Sequence, residues 1–250
     1  MNPAATFRDV VIIGGGCYGS FYAGQLAEAR VRGKAAFRRV ILVDRDPDCQ
    51  VVRTGPLPTD FLLTVEHWNP FLDQFLDREP PPEGAPDDAI VPSPLMPHLM
   101  AHWLERLAER QWPGSASEAI TVARPLGTPY DVLAPDGTRY VSFADWLCPT
   151  HCIEPHICPV IRGPRTWEMK DALAEYVARL DRERPTTGPA LFVTRHRAFG
   201  VGMFDVAEAR QARSLLGEAV RRSADLVMAT VSSCHGAVGM LRITSSGRAP

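Results

Sequence analysis

The sequence predicts an α/β fold with a doubly wound, mostly parallel sheet. Three observations carry that expectation. Residues 8–14, RDVVIIG, form a short β-branched run ending in glycine, the pattern of a buried parallel strand. Residues 39–44, RVILVD, repeat the pattern after a helical stretch over 17–31, and strand, helix and strand together fill about 37 residues, the size of a right-handed crossover unit. Downstream, strand-like and helix-like segments keep alternating, as a doubly wound sheet requires.

Each element has its own local reason. The helix over 17–31 has Phe21, Leu26 and Ala29 among its apolar positions. DFLLTVEHW (60–68) reads as a third strand running into a short helix, NPFLDQFLD, and EPPPEGAP (79–86) is a loop. DDAIVPS (87–93) is a fourth strand closed by proline. PLMPHLMAHWLERLAER (94–110) is a helix whose first turn takes Pro94 and Pro97, where a missing N–H costs little. AITVARP (119–125) reads as a fifth strand.

The pattern then changes. YDVLAPDGTRYVSF (130–143) is a β-hairpin turning at Asp136-Gly137, and a Cys/His/Pro-rich loop follows it. TWEMKDALAEYVARL (166–180) is an amphipathic helix with Trp167, Ala174 and Val177 on one side. ALFVTRHRAFG (190–200) is a strand, DVAEARQARSLLGEAVRR (205–222) a helix, and ADLVMATVS (224–232) and AVGMLRIT (237–244) are strands. The expected division is an N-terminal domain over 1–125 and an extension or cap over 126–250 that carries the cysteine-rich loop and either covers the first sheet or rejoins it.

The turn after the first strand, VVIIGGGCYGS, holds Gly14-x-Gly16-x-x-Gly19 between a strand and a helix. Gly14 allows the tight turn, Gly16 lets backbone approach a pyrophosphate, and Gly19 lets the helix pack on the strand. The N–H groups of Gly15, Gly16, Cys17 and Tyr18 stand at a helix N-terminus, which favours phosphate. The second strand ends in Asp44, where a carboxylate accepts from a ribose and repels a 2′-phosphate; Arg45 beside it weakens that repulsion. In these residues the chain resembles the NAD(P)- and FAD-binding Rossmann superfamily, strongly over about the first 45 residues and by alternation alone to about 125. The resemblance implies Gly14, Gly16 and Gly19 at the pyrophosphate, Asp44 at the ribose, and NAD ahead of NADP or FAD as cofactor.

The stretch CPTHCIEPHIC (148–158) sets Cys148, Cys152 and Cys158 at x3 and x5 spacings with His151 and His156 among them. Thiolates on irregular backbone suit zinc or an iron–sulfur cluster, although this spacing matches no standard signature. A fourth ligand is needed, and Cys234, in the loop SSCHGAVG after a strand, His235, His151 and His156 are the candidates. Cys234 is equally a candidate catalytic thiol, with His235 or another histidine lowering its pKa. Small buried thiols in a proline-stiffened cap are the bland alternative. His196, His235 and His151 are candidate acid–base groups, and Arg195, His196 and Arg197 suit an anionic substrate. His98 and His102 at i, i+4, with Glu105 nearby, can chelate zinc, but nothing completes a known motif.

Composition narrows the classes. With 45% hydrophobic and 22% charged residues, 250 residues can bury a full core without disulfides. A net charge of −2 gives no footing for nucleic acid or an anionic membrane. No apolar run reaches the ~20 residues of a membrane helix, and residues 1–10 have no secretory pattern, so the cytoplasm is the expected compartment. No GxSxG, HExxH or P-loop stretch is present. The expectation is a redox protein acting on an unidentified small molecule. The alternatives are a non-catalytic NAD(H)-sensing protein with a structural zinc and, further off, a methyl-donor-binding protein.

Overall fold

The computed structural model describes residues 4–144 and 152–245. The first elements are β1 (Ala5–Ile13), α1 (Cys17–Val31), β2 (Ala35–Asp44), α2 (Gln50–Arg53), β3 (Phe61–Val65), α3 (Trp68–Phe75) and β4 (Ala89–Val91). There follow α4 (Leu99–Gln111), β5 (Ser115–Ile120), β6 (Tyr130–Leu133), β7 (Arg139–Ser142), β8 (Ile157–Cys158), β9 (Gly163–Pro164) and α5 (Met169–Asp181). The last are β10 (Thr186–Val193), β11 (Arg195–Ala198), β12 (Val201–Asp205), α6 (Val206–Arg222), β13 (Asp225–Val231) and β14 (His235–Ser245). Among the described residues no helix is long and apolar enough to cross a membrane.

The chain divides into two compact units. One takes the residues up to Pro97 together with Thr194–Ala207; the other takes His98–Val193 and the chain from Glu208 onward. The division near 125 suggested by the sequence falls inside the second of these.

In the first unit the strand order is β11-β12-β4-β1-β2-β3. Strands β4, β1, β2 and β3 are mutually parallel, while β12 runs antiparallel to β4 and β11 antiparallel to β12. Val10, Ile12, Val40, Leu42 and Phe61 share one core cluster with Ala23, Leu26 and Ala29 of α1. Gly19, Ala23, Leu26 and Ala29 form the buried stripe of α1. Phe21, another of the apolar positions of α1, is exposed.

The first unit also buries charge. Asp9 is wholly inaccessible and Asp88 nearly so. Arg38 donates to both oxygens of Asp9 at 2.9 and 2.7 Å, and Arg39 donates twice to one of them at 3.2 and 3.0 Å. Arg8 grips Asp88 with two bonds, and the Asp9 N–H donates to Asp88 at 2.9 Å. Arg78 adds ion pairs at 3.6 Å to Asp9 and 4.0 Å to Asp88. Forks of this kind give a buried carboxylate the charge-assisted hydrogen bonds that offset its lost hydration.

In the second unit the order is β10-β13-β14-β7-β6, with β5 also pairing with β14. Only β10 and β13 are parallel; the other pairs are antiparallel. Long β14 pairs β7 through His235–Val238 and β5 through Met240–Ser245. Leu173, Tyr176 and Val177 of α5 share a core cluster with Val227, Ala229 and Val231. On the other face Trp103 of α4 meets Phe192 edge-on at 6.5 Å.

Several expectations are therefore corrected. The fold is mixed α/β, but instead of one mostly parallel sheet there are two six-stranded sheets of mixed direction and a two-stranded one, β8-β9. Of the expected fifth parallel strand, 119–125, only residues 119 and 120 are in a strand; they end β5, which is antiparallel on β14 and half exposed along its length. The turn between β13 and β14 is only three residues, a length that permits antiparallel pairing alone. The stretch 190–200 breaks at Thr194, and its halves belong to different sheets. Helix α4 starts at Leu99 behind an N-cap His98, so Pro94 and Pro97 precede it. Ala174 is exposed, and Met169, Leu173, Tyr176 and Val177 form the buried side of α5. The hairpin turning at Asp136-Gly137 is present as β6-β7.

Candidate functional site

The glycine turn joins β1 to α1. Gly14 has φ +91°, a left-handed conformation that an L side chain resists, and its N–H donates to Val43 at 2.8 Å. A Cβ on Gly19 would stand 1.9 Å from the Gly14 carbonyl oxygen, so only glycine lets α1 start this close to β1. A Cβ on Gly15 would meet the Cys49 sulfur at 2.5 Å, whereas one on Gly16 would enter open space. Gly16 caps α1 without a side chain, and no acidic residue stands in the first turn. The partial positive charge of this helix end is thus left for something outside the helix.

Asp44 closes β2 beside the turn. Its Oδ2 accepts from the Gly15 N–H at 2.6 Å, and its Oδ1 accepts from the Asp46 N–H at 2.9 Å. Asp44 braces the turn, and each oxygen keeps a further lone pair for an external donor. Arg45 is exposed, and so is Cys17. Tyr18 stacks on Tyr22 at 6.3 Å one turn into α1.

The second candidate group surrounds the β13–β14 turn. Cys234 is buried, and its sulfur accepts from the Trp167 indole N–H at 3.3 Å. Burial pushes its thiol up to about 12, against the weaker opposing effect of the Trp167 bond. The thiol is therefore protonated at neutral pH and is a poor nucleophile as built. Burial likewise holds the His235 imidazole below its ordinary range, despite the nearby Glu154 carboxylate. Among the described residues the His235 Nδ1 is buried without a hydrogen-bond partner. His196, the third candidate acid–base group, lies on β11 in the first unit, with Nδ1 2.8 Å from the Gly200 carbonyl.

The cysteine-rich loop contributes a residue that its cysteines overshadow. The Glu154 carboxylate accepts from the Ser232 hydroxyl, from the Ser233 N–H at 2.9 Å and from the Cys234 N–H at 3.1 Å. It ties the loop to the β13–β14 turn. Of the candidate metal ligands, Cys148 lies outside the described residues, as does His151. Cys158 is buried on β8, and the Cys152 sulfur accepts from the Glu154 N–H at 3.4 Å. Among the described residues no three His, Cys, Asp or Glu side chains are grouped to hold a metal ion. His98 contacts Tyr140 at 2.9 Å and Asp136 at 3.4 Å, a polar cluster between the start of α4 and the β6-β7 hairpin.

These environments order the thiols by reactivity. Brief iodoacetamide treatment of the native protein at pH 8 is expected to label Cys17 first and to spare Cys49 and Cys234. Peptide mass mapping checks this; early labelling of Cys234 would contradict the burial described.

Residues 100–244, more than half of the chain, match a family described as "Uncharacterized protein, C-terminal domain". The match takes in most of the second unit and the β11-β12 hairpin, and the glycine turn lies outside it. No curated protein and no solved structure matches the chain.

Proposed function

The chain belongs to the family described as Uncharacterized protein, C-terminal domain; for the first unit, whose glycine turn lies outside that match, we propose that it binds a dinucleotide, NAD ahead of NADP or FAD, in a redox protein of the oxidoreductase class. One observation carries the reading: Gly14, the open Gly16 and the close-packed Gly19 lie beside a strand-ending carboxylate, Asp44, at an uncapped helix N-terminus. The parallel order β4-β1-β2-β3, with the glycine turn after β1, supports a Rossmann-type arrangement of these four strands.

The residues present fit such a ligand. The N–H groups at the start of α1 would receive the pyrophosphate, and Asp44 would accept from an adenosine ribose. A bound nicotinamide supplies hydride transfer; the chain's part is binding, orientation and electrostatics. The Cys234 thiol takes no role in this proposal, because it stays protonated, and no step is assigned to a metal. That inert thiol favours a second reading, a non-catalytic protein that senses NAD(H).

Fluorescence titration with NADH and NADPH tests the proposal. Wild type is expected to bind NADH saturably and more tightly than NADPH. Asp44→Ala is expected to weaken NADH by roughly tenfold or more while NADPH loses less, since a repulsive charge goes with the ribose acceptor. Damage to the turn alone would weaken both equally. Saturating NADH should also slow alkylation of Cys17. If neither nucleotide nor FAD binds, the proposal fails. Binding without turnover of any electron acceptor would leave the sensing reading.

A further inference from the structure

The first unit holds a cavity that the dinucleotide reading does not use. It measures about 460 Å³ and is lined by Arg39 and Ile41 of β2, Leu62 and Thr64 of β3, Phe71, Gln74 and Phe75 of α3, and Arg78. Along β3, Phe61 belongs to the core cluster shared with α1, and the next residue, Leu62, lines the cavity. Because side chains alternate along a strand, the cavity lies on the sheet face away from α1. Its volume falls in the range of small-molecule sites.

The lining divides into two parts. One is apolar: Phe71 and Phe75 stack at 5.4 Å, and Ile41 and Leu62 extend that surface. Leu62 is 44% exposed, a large aliphatic side chain facing solvent inside a concavity. The other part is cationic. Arg8 and Arg38 already give Asp88 and Asp9 a bidentate partner each, so Arg39 and Arg78 add positive charge beyond neutrality at this pair. Arg78 sits 4.7 Å from the centre of the Phe75 ring. Among the described residues its Nη1 makes ion pairs at 3.6 and 4.0 Å, both beyond hydrogen-bond distance, so Nε and Nη2 keep their donors for a ligand. A guanidinium lying on an aromatic ring with free donors suits a planar carboxylate.

We propose that this cavity binds a small organic carboxylate with a flat or branched apolar body. The carboxylate meets Arg78 and the outer edge of Arg39, and the body lies on Phe71, Phe75, Ile41 and Leu62. Thr64 and Gln74 offer hydrogen bonds at the rim. Neither an uncharged aromatic nor a small inorganic anion satisfies both parts. The site is independent of the dinucleotide proposal.

Equilibrium dialysis of the full chain with 2-naphthoate, and with its neutral isostere 2-naphthamide, tests this. One saturable naphthoate site is expected, with the amide weaker by roughly tenfold or more. Arg78→Gln and Leu62→Glu are each expected to weaken naphthoate by roughly tenfold or more, the first by removing the donors and the second by placing a like charge in the cavity. Leu62 is exposed, and in Arg78→Gln the hydrogen bonds of Arg8, Arg38 and Arg39 still hold Asp88 and Asp9, so both variants should fold; if one fails to fold, the other decides. Asp44→Ala should leave naphthoate binding unchanged. Absence of saturable binding, equal binding of acid and amide, or retention in Arg78→Gln with loss in Asp44→Ala overturns the proposal.

Discussion

Asp9→Asn is expected to lower the free energy of unfolding by roughly 3–5 kcal/mol, the usual cost of removing one member of a buried ion pair. Asp9 lies mid-strand on β1 with no accessible surface, and Arg38 and Arg39 both aim at it. The amide keeps the shape but loses the charge that three guanidiniums were placed to meet. Those cations then repel one another across the junction of β1, β2 and β4. Burial alone would raise the Asp9 carboxyl, but the hydrogen bonds from Arg38 and Arg39 outweigh it and hold its pKa below the ordinary carboxylate range. The folded value is thus depressed. Its contribution is complete above the unfolded pKa of about 3.9 and is lost as pH falls through the folded value. Urea unfolding of both proteins at pH 7 and on the acid limb checks this. The gap between wild type and variant should close as the acid limb is descended, and a constant gap would mean that the aspartate acts by packing alone.

Gly19→Ala is expected to cost about 3 kcal/mol or more and to abolish dinucleotide binding. A methyl group at that position stands 1.9 Å from the Gly14 oxygen and 2.9 Å from its carbonyl carbon. Both are backbone atoms, and Gly14 is anchored to Val43. Either α1 moves away from β1 or the turn deforms, and the Asp44–Gly15 brace breaks in both cases. Gly24→Ala, on the same helix, is the control. Nothing lies within 4 Å of its Cβ, so that change should stabilise by roughly 0.5–1 kcal/mol, the helix propensity difference. Paired thermal melts and NADH titrations separate the two. Similar melts for both variants would refute the packing account of Gly19.

The β1-α1-β2 unit was legible because period and punctuation agree there: an unbroken apolar run, a glycine turn, then a second run ending at Asp44. The β6-β7 hairpin was legible from Asp136-Gly137. What stayed hidden depends on partners remote in sequence. Nothing local in RHRAFGVGMF tells which sheet edge it joins, since an edge hairpin needs only alternation. Asp9 reads as a polar strand start until Arg38, Arg39 and Arg78 are seen around it. In the cysteine-rich loop the thiols draw attention, yet Glu154 makes the bonds that hold the loop to β13–β14. The one available signal was an isolated carboxylate among prolines, too common a feature to single out. The cavity beneath α3 left its trace as Leu62, an apolar residue with no visible reason to face solvent.

The route of the chain through β11 and β12 bears on how the protein is made. Strand β4 has β1 on one edge and β12 on the other, and β12 emerges from the ribosome more than a hundred residues after β4. The nascent N-terminal segment must therefore wait with one edge of a three-residue apolar strand, Ala89–Val91, uncovered. During that interval its open edge is a template for pairing with other chains, which is where chaperone capture would matter. A fragment cut near residue 125 would carry the same open edge permanently and is expected to aggregate, whereas a circular permutant that begins at Thr194 would synthesise β11 and β12 ahead of the strand they protect.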